Sequence, residues 1–348
     1  MTASTRVGGG VLPLALTMGE PAGIGGEIAL KAWLALRGRG PAFFVIGDPV
    51  HLEGVARSSV PGARVRAIAE PEEASARFSD ALPVLPERLR TPASPGRPQA
   101  ANASAVIASI ERAVALVGRG RAGAVVTCPI HKRTLYESGF EHPGHTEFLA
   151  ALSGGKARAV MMLVCEGLRV VPVTVHLSLR DAVAALTREA VVACGEVAAR
   201  ALVSDFGIAA PTLAVAGLNP HAGEGGELGR EEIEMIEPAV AELNAKGIDA
   251  RGPMPADTLF HAGARARYDA VLCMYHDQAL IPLKTIDFER GVNVTLGLPF
   301  VRTSPDHGTA FDIAGTGRAN EASLVAALVL ARDMAERRRL ALREAARA

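Results

Sequence analysis

The sequence predicts an α/β protein built around mostly parallel β-sheet, and three observations carry that expectation. Short apolar runs alternate along the chain with longer Ala-, Leu-, Glu- and Arg-rich segments of helical period. The apolar runs are near-continuous, as in strands covered on both faces, and do not show the in–out alternation of a half-exposed sheet. With 348 residues, 49% of them hydrophobic, the chain is long enough to bury two cores.

Taken in order, strands are expected at 12–16, 42–46, 124–127, 160–164, 170–175, 212–216 and 270–274. Helices are expected at 25–36, 101–117, 178–203, 231–246 and 321–343. The last is basic towards its end but carries interleaved acids, as a solvated face does. Residues 83–98, rich in Pro, Arg and Ser, read as a loop. No internal repeat is seen, and the Gly- and Pro-containing stretch 139–144 is the best candidate for a domain border.

Composition excludes several classes of function. Lys plus Arg and Asp plus Glu balance at 37 each, so the chain lacks the positive excess of a nucleic-acid groove or an anionic-membrane surface. Any anion site must be a local cluster. Cys128, Cys165, Cys194 and Cys273 are scattered without a CxxC pair, as in a reduced cytoplasmic chain. Residues 1–10 are polar and Gly-rich, without the apolar core of a leader, and no run approaches the ~20 apolar residues that span a bilayer.

Three histidines share one setting. His176 ends RVVPVTVH, His221 follows LAVAGLNP, and His276 follows AVLCMY, each just past an expected strand. That edge of a parallel sheet lines the ligand crevice. Any one of them is also an ordinary loop histidine; the repeated placement points to a three-nitrogen site for a divalent metal with open positions. Asp277 and Asp257 are acidic neighbours suited to orienting a ligand or accepting a proton.

A second constellation is SPDHGTAFDIAGTGRAN, from Ser304 to Asn320. Its glycines allow close approach to a flat ligand, and the Asp312 carboxylate suits a ribose diol while repelling a 2′-phosphate. A Gly-rich loop ahead of a helix is the plainer alternative. The usual GxGxxG strand-to-helix fingerprint is missing, and GEGGELG (223–229) reads as a loop beside His221. TMGEPAGIGGEIALKAW has the look of an anion-accepting helix start but lacks the GK[ST] of a P-loop. Finally Lys284, Asn293 and Arg302, with His145 and Thr146 of HPGHTEF, offer charge-assisted hydrogen bonds to carboxylate or phosphate, and Arg290 is a further cation nearby.

With these residues in view, the chain resembles the 4-hydroxythreonine-4-phosphate dehydrogenase family of vitamin B6 (pyridoxal phosphate) biosynthesis. The matching stretches are GEPAGIG, GHTEF, TVHLSLRD, GLNPHAGEGGELG, PADTLF, MYHDQ, GVNVTLGLPFVRTS and DHGTAFDIAG, in the family's order from Gly19 to Gly315. The tail motif is also similar to the adenosine-binding loop of isopropylmalate and isocitrate dehydrogenases. One departure is Gly26, where many relatives carry proline; a local backbone effect at the helix start is expected.

The resemblance implies an isopropylmalate-dehydrogenase-like α/β/α architecture of two lobes around a central cleft. The first lobe would comprise 1–140 plus 305–348 and carry the NAD segment; the second, 141–304, would carry the metal and substrate residues. It implies that His176, His221 and His276 ligate one divalent metal (Zn, Co or Mg), and that His145, Thr146, Lys284, Asn293 and Arg302 bind substrate. His307, Gly308, Thr309 and Asp312 would bind NAD, with NADP as the variant. It further implies a homodimer with the site at the interface and one metal histidine from the partner. The reaction expected is oxidation of the 3-hydroxyl of 4-(phosphooxy)-L-threonine to a 3-oxo acid, which decarboxylates to 3-amino-2-oxopropyl phosphate. Asp257, Lys284 and a metal-bound water all remain as the base. Dehydrogenases of 4-phosphoerythronate, 4-phosphothreonate or aromatic cis-dihydrodiols share these motifs, and are the nearest rivals. A metal hydrolase or phosphotransacylase-like enzyme would not need the NAD segment, and a binding module would not need three metal ligands.

Overall fold

The computed structural model describes residues 12–142, 144–155 and 158–345. The reading of residues 1–10 lies outside the described residues, as does Pro143 within the 139–144 stretch. Among the described residues twelve strands form one continuous sheet: β1 (Leu14–Thr17), β2 (Phe43–Gly47), β3 (Val65–Ala67), β4 (Leu82–Pro86), β5 (Val125–Thr127), β6 (Val160–Cys165), β7 (Leu168–Pro172), β8 (Thr212–Ala216), β9 (Asp249–Met254), β10 (Ala270–Cys273), β11 (Val292–Leu296) and β12 (Arg302–Pro305). Their order is β3-β4-β2-β1-β5-β12-β11-β6-β7-β10-β8-β9. Antiparallel pairing is confined to β12–β11, β11–β6 and β6–β7, at the centre; the flanking blocks are parallel. The mostly parallel α/β class is therefore as expected.

All seven expected strands form, and five more join them. The stretch 83–98 is not all loop, since its first residues belong to β4. Leu82, Val84 and Leu85 are buried, and β4 lies between β2 and β3; this central position outweighs the two prolines. The long helix expected at 178–203 is two, Leu179–Ala185 and Arg188–Ser204. Thr187 restarts the chain by accepting the Ala190 N–H at 3.1 Å, the role of an N-cap. The helix expected at 231–246 opens with a π turn, Glu232–Ile236, before continuing as Glu237–Ala245. Helix Gly25–Leu36 runs unbroken through Gly26.

Helix Ala103–Gly118 is apolar because one face packs beneath β1 and β2. Its Ser109 Oγ donates to the Ile46 carbonyl at 2.7 Å and accepts the Met18 N–H at 3.1 Å. Two features of the sheet position the site. β7, β10 and β8 are parallel neighbours, so the loops carrying His176, His276 and His221 leave the same edge. On the central strands, residue alternation points Arg302 and Ser304 of β12 to one side with Asn293 and Thr295 of β11.

Candidate active site

A cleft of about 660 Å³ opens against the central strands. Helix His276–Ile286 lines it with His276, Leu280 and Lys284, which stand one turn apart on one face. Lys284 Nζ lies 3.2 Å from Oδ2 of Asp306, whose carboxyl is pushed up by burial and held back by that lysine. Arg302 is 3% exposed; Nη1 donates to Thr295 Oγ1 at 2.9 Å and Nη2 to Thr127 Oγ1 at 2.7 Å. Burial lowers its guanidinium to about 10, and Nε has no partner. His145 begins helix His145–Leu152, after an extended Gly144. Its Nε2 is sealed from solvent and unpartnered; burial first, then the charges of Arg302 and Lys132, hold its pKa well below the ordinary value. Buried polar groups without partners cost stability unless a ligand satisfies them. Thr146 and the half-buried Asn293 complete the group, so all five residues expected to bind substrate line one cleft.

His176 and His276 also line it, their ring centroids 5.9 Å apart. His176 takes a left-handed backbone (φ 49), and burial, then Lys132 and His276, lower its pKa. Asp277 Oδ1 sits 2.7 Å from His276 Nδ1, which leaves Nε2 as the nitrogen free to ligate. Two facing imidazoles on an open cleft fit a borderline divalent ion that keeps open positions. His221 is exposed and does not line the cleft. Among the described residues no three His, Cys, Asp or Glu side chains of one chain cluster as a metal site.

His307 and Gly308 line the cleft, and the sealed Nε2 of His307 has no partner. No atom stands within 4 Å of where a Cβ on Gly308 would be, so a flat group can approach the backbone there. Thr309 is held from the other side, its carbonyl accepting the Ile24 N–H at 3.1 Å. Asp312 is exposed and outside the cleft lining. Asp257 is exposed on the turn Ala256–Thr258, also outside the lining. Arg290 bonds Asp287 at 2.9 Å, and likewise is not part of the lining. Four charged lining residues escaped the sequence reading: Lys132, Glu147, Arg158 and Asp306. Lys132 follows the C-terminal end of β5, the same positional signal that picked out the histidines, and Asp306 directly precedes His307.

Residues 40–331 match the family model for the pyridoxal phosphate biosynthetic protein PdxA. A protein of Bradyrhizobium diazoefficiens named 4-hydroxythreonine-4-phosphate dehydrogenase is 57% identical over 334 residues, covering 93% of this chain and 97% of its own. The crystal structure of 4-hydroxythreonine-4-phosphate dehydrogenase from Klebsiella pneumoniae superposes with a TM-score of 0.85 at 42% identity, over 93% of this chain and 98% of that one. A terephthalate 1,2-cis-dihydrodiol dehydrogenase from Burkholderia xenovorans is more distant, with a TM-score of 0.62 at 30% identity, over 92% of this chain and 98% of that one.

Proposed function

The chain belongs to the PdxA family of pyridoxal phosphate biosynthetic proteins, and from that premise we propose that it oxidises 4-(phosphooxy)-L-threonine at the 3-hydroxyl with NAD. The observation that carries this reading is the convergence of Arg302, Lys284 and His145, two of them with unpartnered buried nitrogens, on one cleft with His176 and His276. Cations in a cleft of a chain with no net charge fit a small polyanionic substrate.

Arg302, with its fork fixed by two threonines, and neutral His145 bind the anionic ends of the substrate, with Thr146 and Asn293 supplying further hydrogen bonds. His176 and His276 would hold one divalent cation, with imidazole suiting Zn or Co better than Mg. His307, Gly308, Thr309 and Asp312 would hold the cofactor, and the Asp312 carboxylate would favour NAD over NADP. When bound, the cation eases deprotonation of the C3 hydroxyl, and the nicotinamide supplies the hydride acceptor. Lys284 takes up the hydroxyl proton; Asp257, outside the cleft of its own chain, would have to come from a second copy. The C3 ketone stands β to the carboxylate, so loss of CO2 follows, and Lys284 returns the proton to C2 to give 3-amino-2-oxopropyl phosphate.

The active unit is a homodimer in which His221 of one chain completes the metal site of the other. Supporting this, apolar side chains beside the histidine pair face outward: Leu179 is 63% exposed, Ile281 64% and Phe288 77%. The two-lobed division at 1–140 plus 305–348 against 141–304 places the cofactor segment in the first lobe. Four buried, unpaired cysteines suit the cytoplasm. NADH formation from the phosphorylated amino acid, beside 4-phosphoerythronate and 4-phosphothreonate, tests the substrate assignment.

A further inference from the structure

One buried run of hydrogen bonds joins the three loops that carry His176, His276 and His221. Thr174 Oγ1, two residues before His176, donates to the Met274 carbonyl at 2.8 Å. The Met274 N–H donates to Oε1 of Gln278 at 2.6 Å, and Nε2 of the same amide donates to the Gly217 carbonyl at 2.8 Å. The next two backbone N–H groups, of Leu218 and Asn219, both donate to Glu232 Oε1 at 2.7 Å. Thr174, Gln278 and Glu232 are 7%, 8% and 1% exposed, and the bonds made by Thr174 and Gln278 are buried.

Beyond Asn219 the chain adopts a conformation that needs holding. His221, Ala222, Gly223, Glu224 and Gly225 all have positive φ, between 44 and 81 degrees. Three of these five are not glycine, and such backbone persists only where its surroundings over-determine it. Glu232 does part of this, since Oε2 accepts Asn219 Nδ2 at 2.9 Å and packs where a Cβ on Gly223 would stand. Gln278 is a further tie. It lies in the first turn of the helix that begins at His276, and it alone among these side chains bonds both the β10 exit and the β8 exit.

We infer that Gln278 is a positioning residue for the metal: by holding Met274 N–H and Gly217 O at once, with Thr174 on the far side, it fixes the loops from which His276, His221 and His176 depart. The inference rests on the reading of these histidines as metal ligands. A glutamine that only filled the core would lower thermal stability when replaced and leave metal affinity unchanged.

The test uses full-length protein stripped of metal and titrated with Co²⁺ against a chelating competitor, with the visible spectrum recorded as a report on ligand geometry. Gln278→Met removes both bonds at nearly constant size; a loss of affinity of about 10-fold or more and an altered Co²⁺ spectrum are expected. Activity should recover substantially at saturating Co²⁺, because no ligand is removed. Wild-type affinity and spectrum in folded Gln278→Met would overturn the inference. If that variant does not fold, Thr174→Val decides in its place, with weakened Co²⁺ binding expected and unchanged binding overturning the inference. Wild type and His176→Ala run alongside as a separate check on the premise. Equal Co²⁺ binding by these two would mean that the histidines are not the ligands, and the inference would fall with them.

Discussion

Nζ of Lys284 lies 3.2 Å from Oδ2 of Asp306, which ties the helix that begins at His276 to the segment that leads into His307. This pair thus joins the wall of the cleft that carries Lys284 to the wall that carries His307. Lys284→Met should lower kcat/KM by roughly 100-fold or more, because it removes the proton acceptor and leaves the half-buried Asp306 without its partner. Adding Asp306→Asn should restore part of any lost thermal stability without restoring turnover. Steady-state kinetics and unfolding curves of the single and double variants measure both effects; full activity in Lys284→Met would remove it from the mechanism.

Arg302 presents its fork to Thr295 and Thr127 and leaves Nε without a protein partner. Arg302→Lys keeps a cation but cannot reproduce the planar fork, so it should behave much more like Arg302→Ala than like wild type. Both are expected to raise the KM for the phosphorylated substrate by about 100-fold while leaving the KM for NAD nearly unchanged. A lysine variant with wild-type KM would show that charge alone suffices.

Much of the fold and site was readable in advance, and the misses have physical causes. Unbroken apolar runs such as those of β1, β2, β8 and β10 announce buried parallel strands. β3 and β9 carry polar and charged residues, and β12 spans only RTSP, so periodicity has nothing to register there. β4 hides behind prolines, and its strand state comes from the neighbours that bury it. Within the site, His145, Thr146, Lys284, Asn293 and Arg302 come together in the cleft, whereas His221 and Asp257 do not reach it in their own chain. Lys132 and Glu147 went unnoticed because a charge in a loop reads as solvated until a cleft surrounds it.

His145 supplies a pH dependence of stability with a definite sign. Its folded-state pKa lies well below 6.5, through burial first and then the charges of Arg302 and Lys132. The unfolded chain therefore binds a proton that the folded chain refuses. The stability is present above pH 6.5 and is lost as pH falls towards the folded-state value. Between about pH 7.5 and about pH 5.5, wild type should lose more stability than His145→Gln by urea unfolding. Equal losses would contradict the burial of this ring.

Gly23 tests the cofactor segment independently of the substrate residues. A Cβ there would stand 2.9 Å from the Thr309 carbonyl oxygen, too close for either backbone to stay in place. Gly23→Ala should therefore raise the KM for NAD about 10-fold, the equivalent of ~1.4 kcal/mol, with little change in the KM for substrate. A change confined to the substrate KM would move cofactor binding away from 307–312.

The central claim is the identity of the reaction, and NADH absorbance on purified protein tests it most directly. The assay supplies a divalent metal, NAD and 4-(phosphooxy)-L-threonine, with 4-phosphoerythronate and 4-phosphothreonate in parallel. Strong preference for the phosphorylated amino acid, abolished by chelation and restored by added metal, is the expected result. Preference for a sugar-acid phosphate would contradict the biosynthetic assignment while keeping the cleft's chemistry, and silence with all three would contradict the account of the cleft as a phosphate-binding site.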